Sequence, residues 1–262
     1  MSAAGPTGVL TPHAAPAWLK PLVENVGCVP AAYRRRVPAD VLAMVTAATA
    51  TAALAGRDAA VLVLFSGPED VPAGGAVPDD VDLLLTVRAS TLRHHAGQAA
   101  FPGGATDPGD AGPVDTALRE AYEETGIDAT RLRPLATLDK MFIAPSGFHV
   151  VPVLAYSPDP GPVAVVDEAE TAIVARVPLR AFVNPENRLM VYRRTFTNRF
   201  AGPAFLLNEM LVWGFTGQVI SALLDCAGWT QPWNTDDVRE LDDAMALVDH
   251  NGGDEGYREA RR

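Results

Sequence analysis

A Pro-Gly-Gly turn, a short acidic loop and a glutamate-rich segment follow one another in FPGGATDPGDAGPVDTALREAYEETGI, residues 101–127, and constrain how the whole chain can fold. The segment carrying Arg119, Glu120, Glu123 and Glu124 is rich in strong helix formers. It stops at Gly126, where a helix C-terminal glycine belongs. On a helix, Glu120 lies three and four residues before Glu123 and Glu124, so the three carboxylates can converge toward one side. Like charges at that spacing cost a helix roughly 0.2–0.5 kcal/mol per pair. A hard divalent cation, which takes oxygen ligands and shares them with phosphates, gives such a cluster a purpose. The plainer reading is a solvated acidic face in which Arg119 and Glu123 form an ordinary i,i+4 pair.

Arg119 to Ile127, REAYEETGI, resembles the second half of the Nudix box, R-E-U-x-E-E-x-G-U with U aliphatic, and Gly104 stands where that box opens. The first half departs from the pattern. Asp110 occupies the place of the box's first Glu, and the loop from there to Arg119 is one residue longer. Just upstream, LLLTVRASTLRHHAGQAAFPGG, residues 83–104, is similar to the extra signature of the coenzyme A diphosphatase branch of that family. Leu84, Leu85, Thr86, Arg88, Leu92, Arg93, His95, Gly97, Gln98, Phe101, Pro102, Gly103 and Gly104 stand in the matching places. The lengthened acidic loop is a trait of the same branch.

The resemblance implies an α/β fold, the Nudix-type α/β/α sandwich with a mixed β-sheet. It also implies metal-dependent hydrolysis of the diphosphate bond of coenzyme A or its derivatives, to adenosine 3′,5′-bisphosphate and 4′-phosphopantetheine species. Mg²⁺ or Mn²⁺ is the implied cofactor, with Glu120, Glu123, Glu124 and the Gly104 carbonyl as ligands. Arg119 is expected to orient a carboxylate rather than touch substrate. Glu170, eight residues before Pro178-Leu179, matches the spacing of a family Glu close to the metals. The catalytic set is thus Glu120, Glu123, Glu124, Glu170 and Arg119, with the general base left open. Arg88, Arg93, Gln98, Gly103 and Gly104 form the substrate-binding set, the arginines being suited to bidentate phosphate contact. ADP-ribose, a dinucleotide or a modified nucleoside triphosphate are alternative substrates. A non-catalytic nucleotide-binding module is the alternative from another class, and the retained, mutually repelling glutamates argue against it.

A formal net charge of −11 argues against nucleic-acid binding by bulk electrostatics. An acidic enzyme acting on a polyanion gathers its arginines locally instead. The expected partner is a small nucleotide, with no nucleic acid, no membrane, and a homodimer left open. Cys28 and Cys226 have no metal-ligand spacing and read as buried or incidental thiols in a reducing compartment. No basic region precedes an apolar run at the N-terminus, and no segment reaches the ~18–20 apolar residues of a membrane span, so a cytoplasmic protein is expected.

Residues 1–17 are expected to be poorly ordered, 18–230 to form one domain with an N-terminal helical extension, and 231–262 an acidic helical or mobile tail. Helices are expected over 39–55, 210–224 and 236–248, and strands at 59–65, 81–88, 135–138, 150–155, 163–166 and 173–177. The run VYRRTFTNRF, 191–200, mixes arginines and aromatics that suit a nucleotide, with a surface strand as the plainer reading.

Overall fold

The computed structural model describes residues 8–35, 57–71, 77–89, 97–143, 147–194, 199–208 and 210–249. Its first elements are α1 (Lys20–Glu24), α2 (Val29–Arg35), β1 (Arg57–Ser66), β2 (Asp82–Arg88), β3 (Ala99–Ala100) and β4 (Gly103–Ala105). There follow α3 (Pro113–Thr125), β5 (Arg133–Thr137), β6 (Met141–Ile143), β7 (Phe148–Ser157), β8 (Thr171–Pro178) and α4 (Leu179–Val183). The remainder is β9 (Arg188–Arg194), β10 (Arg199–Leu207), β11 (Met210–Val212), α5 (Gly214–Cys226), β12 (Val238–Glu240) and α6 (Leu241–Asp249).

The apolar run in β1 is continuous because both faces of the strand are covered. Ala60, Leu62 and Leu64 lie under α3, packed with Val114, Ala117, Leu118 and Ala121. Val63 and Phe65 face the other way, toward Trp18, Tyr156 and the α5 residues Val219, Ile220 and Leu223. Helices therefore sandwich the sheet. β1 pairs in parallel with β7 from Arg57↔Phe148 to Ser66↔Ser157. The rest of the sheet is antiparallel, in the order β3-β2-β1-β7-β5, with β4 on β1, β6 on β7 and β8 on β2. The result is the mixed α/β/α architecture.

A second sheet, β11-β10-β9-β12, was not legible in the sequence. Its face is covered by α6, where Leu241, Ala244 and Val248 meet Leu189, Val191, Ala204 and Leu211. The single helix expected over 210–224 is split by this sheet. Met210–Val212 pairs with β10 in a tight hairpin, Leu207↔Met210 to Phe205↔Val212. Gly214, at φ 64°, then turns the chain into α5.

Residues 8–17 are held more firmly than expected. Thr11 donates both its N–H (2.7 Å) and its Oγ1 hydroxyl (3.0 Å) to the Pro134 carbonyl. Trp18 is buried and donates Nε1–H to the Pro68 carbonyl at 2.9 Å. The two cysteines, expected as separate thiols, are joined as a Cys28–Cys226 disulfide, because α2 packs against α5 and brings their Cα atoms to 6.2 Å. The helix expected over 39–55 lies outside the described residues. No helix among the described residues is long and apolar enough to cross a membrane.

Leu62 is fully buried beneath α3, so Leu62→Ala is expected to lower the unfolding free energy by about 2–5 kcal/mol. The change should appear as a shifted urea midpoint with an unchanged slope. A loss below about 1 kcal/mol would contradict the packing of that layer.

Candidate active site

α3 opens with Pro113 and buries Val114, Ala117, Leu118 and Ala121, a stripe at i, i+3, i+4 and i+7. Gly126 ends it in the left-handed conformation, φ 68°, with its N–H on the Tyr122 carbonyl at 2.8 Å. The carbonyls of Thr125 and Glu124 are still without helical partners at that end. Ala164 and Val166 supply them, donating N–H groups at 3.0 and 3.4 Å. This is why 163–166 forms no strand: two of its donors serve the helix end. The chain then makes a turn at Asp167–Glu170 and enters β8.

The opposite side of α3 faces the glycine turn. A Cβ on Gly104 would stand 2.5 Å from the Glu120 carboxylate, and one on Gly103 would run into the backbone of Ala60 and Val61. Only residues without side chains let β4 lie this close to both its strand partner and the helix. Gly103 donates its N–H to Glu124 Oε2 at 3.2 Å. Glu120 and Glu124, one helical turn apart, thus meet at this turn.

Arg119 binds the same region from the side. Its Nε and Nη2 donate to Asp110 Oδ1 and Oδ2, each at 3.0 Å, in a fork-to-fork pair. Nη2 also donates to the Ala105 carbonyl at 2.9 Å, and Nη1 to Glu120 Oε1 at 3.0 Å and Glu123 Oε2 at 2.9 Å. The Thr116 hydroxyl and the Asp107 N–H complete the shell around Asp110, both at 2.9 Å. Asp110, the departure from the box, is the anchor of the arginine. Thr116 and the Ala105 carbonyl were not singled out from sequence. The one available signal was a short acid, Asp110, at a fixed distance before Arg119.

The expected convergence of three glutamates is incomplete. Glu123 is exposed and drawn to Arg119 in the i,i+4 pair of the plainer reading. Among the described residues no three His, Cys, Asp or Glu side chains form a group able to hold a metal ion. In kind, the donors suit a hard divalent cation: two carboxylates gathered at a glycine turn, and a third held by the same arginine. Of the remaining expected residues, Arg88, Gln98 and Glu170 are described. Arg88 ends β2 with its Nε buried and without a hydrogen-bond partner among the described residues. Gln98 accepts the Arg88 N–H through its carbonyl at 3.1 Å. Glu170 is exposed, and its carbonyl accepts the Ala89 N–H at 2.9 Å, which sets it beside the end of β2. Arg93, His94 and His95 lie outside the described residues, as do Phe196 and its neighbours in 195–198. Tyr192 and Arg193 belong to the second sheet.

Electrostatics follow the geometry. Burial pushes the Glu124 carboxyl up to about 7, opposed by the Gly103 N–H and Arg88 and reinforced by Glu120 and Glu170. Burial also raises Glu120, with Arg119 opposing. Asp110 is held down at about 2 by its bonds to Arg119. The turn is therefore a place where desolvated carboxylates gain from added positive charge.

The desolvated acids on the glycine turn lie beside an arginine whose Nε has no hydrogen-bond partner among the described residues. A family model described as NUDIX domain matches residues 68–200, just over half of the chain. Proteins called uncharacterized Nudix hydrolase NudL, from Yersinia pestis and Yersinia pseudotuberculosis, are 37% identical over 143 residues, spanning 54% of this chain and 70% of theirs. A crystal structure of a Nudix hydrolase from M. smegmatis, RenU, is 27% identical over 47% of this chain and 71% of that one, with a TM-score of 0.37. The chain belongs to the Nudix hydrolase family, and it is an enzyme acting on the pyrophosphate bond of a nucleoside diphosphate derivative. Nudix enzymes generally use divalent metal ions such as Mg²⁺ or Mn²⁺.

In buffer free of divalent cations, Glu124→Gln is expected to match the wild type near pH 5. By pH 8 it should be more stable by roughly 1–3 kcal/mol. The wild-type carboxyl is raised in the folded state, so stability present below about 4.5 is lost as pH rises through about 7. Parallel stability–pH curves for the two proteins would remove this account. Asp110→Asn, which leaves the Arg119 fork half-matched, is expected to cost roughly 1–3 kcal/mol in urea unfolding. An unchanged midpoint would mean the clamp does not hold the loop.

Proposed function

We propose that this Nudix hydrolase, acting in the cytoplasm, cleaves the diphosphate of coenzyme A or its derivatives to adenosine 3′,5′-bisphosphate and a 4′-phosphopantetheine species. The observation that carries the reading is Arg88. It lies in the 84–104 stretch that resembles the coenzyme A diphosphatase branch, and it ends β2 beside Glu124 with a buried Nε that has no partner among the described residues. A diphosphate oxygen is the acceptor that such a guanidinium lacks. Gln98 and Arg93 belong to the same stretch and are read as further substrate contacts.

Glu120, Glu123 and Glu124, with the Gly104 carbonyl, would hold Mg²⁺ or Mn²⁺, which supplies charge neutralisation and a bound water of lowered pKa. Arg119 holds Glu120 and Glu123 by hydrogen bonds while Asp110 fixes the arginine itself. Gly103 and Gly104 let the turn lie directly against β1 and the Glu120 carboxylate. Glu123, Glu124 and Glu170, the last exposed beside the end of β2, are the candidates to take a proton from an attacking water.

Incubation with coenzyme A and Mg²⁺ or Mn²⁺ is expected to release adenosine 3′,5′-bisphosphate, with Glu124→Gln slower by at least about 100-fold. Equal turnover by that variant would overturn the mechanism. Faster turnover of ADP-ribose than of coenzyme A would overturn the substrate assignment.

A further inference from the structure

The chain has two cysteines, and the structure joins them across 198 positions of sequence. Cys28 ends a short 3-10 turn before α2, and Cys226 is the last residue of α5. Both lie outside residues 68–200, one on each side of the part that matches the family model. The segments they close are already packed together. Trp18, Leu22, Val29 and Ala32 share one apolar core with Val219, Leu223 and Trp229. Trp18 and Trp229 stand with their rings 6.2 Å apart. The disulfide is thus a covalent tie between two flanks that meet beneath the main sheet.

Its two residues differ in exposure. Cys28 is exposed, whereas Cys226 is half-buried at the helix end. A tie at the surface is open to an incoming thiolate in a way that a core disulfide is not.

We propose that Cys28–Cys226 is a thiol–disulfide exchange site for small-molecule thiols and disulfides, with Cys28 the sulfur that is attacked. A thiolate bonds to Cys28 Sγ, the Cys28–Cys226 bond breaks, and Cys226 leaves as a thiolate that takes a proton from water. A second small-molecule thiolate attacks the outer sulfur of the mixed disulfide. It departs as the oxidised small-molecule disulfide and leaves Cys28 as a thiol. Two electrons pass from two small thiols to the protein, and a small disulfide such as oxidised glutathione reverses the sequence. The state of the pair then sets how firmly the two flanks are held.

The full-length protein, prepared without reductant, is titrated with a thiol reagent after unfolding, before and after exposure to reduced and then oxidised glutathione. Expected are no thiols, then two, then none again. The melting temperature should be lower in the reduced state by roughly 4–16 °C. Cys28→Ser should melt like the reduced wild type and ignore the reductant. Two thiols persisting in oxidised glutathione would overturn the proposal, as would a bond that reduced glutathione leaves intact in the folded protein. Identical melting of the oxidised and reduced wild type would overturn the role as a tie, whatever the variant does.

Discussion

Arg119 contacts Asp110, Ala105, Glu120 and Glu123 simultaneously, each at 2.9–3.0 Å. A guanidinium has five donors in a fixed plane, so it can satisfy a loop carboxylate with one edge and helical carboxylates with another. That geometry ties the acidic loop 105–110 to α3 and holds the glycine turn against the acid row. An ammonium could not reproduce the fork to Asp110, which fixes the rotamer from which the other contacts follow. The cost of gathering negative charge on one helix face is offset in part by this single, half-buried cation.

The acid row is a product of packing as much as of sequence spacing. Glu124 is raised because β4 and the end of β2 remove it from water, with the Gly103 N–H as its direct hydrogen-bond donor. The same helix end is capped by Ala164 and Val166, whose chain continues to Glu170. Helix termination and the placement of Glu170 are therefore one event. A shift in the register of that capping loop would move a carboxylate relative to the turn without touching α3 itself.

The main sheet and the helix were legible because their signals are local. The unbroken apolar run in β1, the i, i+3, i+4 stripe of α3 and the glycine at 126 each report their own environment. The second sheet was hidden because Met210–Val212 is apolar and adjoins an apolar helix, so periodicity alone merges the two. The stretch at 163–166 looked like a strand because Val163, Val165 and Val166 favour extended backbone. What its N–H groups do is decided by a helix some forty residues earlier. The Glu123 side chain shows the same limit: spacing places it near its neighbours, and competition for Arg119 decides where it points. The cysteine pair could not be read from sequence, since only the docking of α2 on α5 brings the two together.

The parallel pairing of β1 with β7 has a temporal implication. These strands are separated by some ninety residues, and every element of the acid turn lies on the chain between them. During synthesis the ribosome delivers the glutamates well before β7 emerges, so β1 spends that interval without its longest neighbour. A large loop must close before the central pair can zip, and such closure is entropically slow.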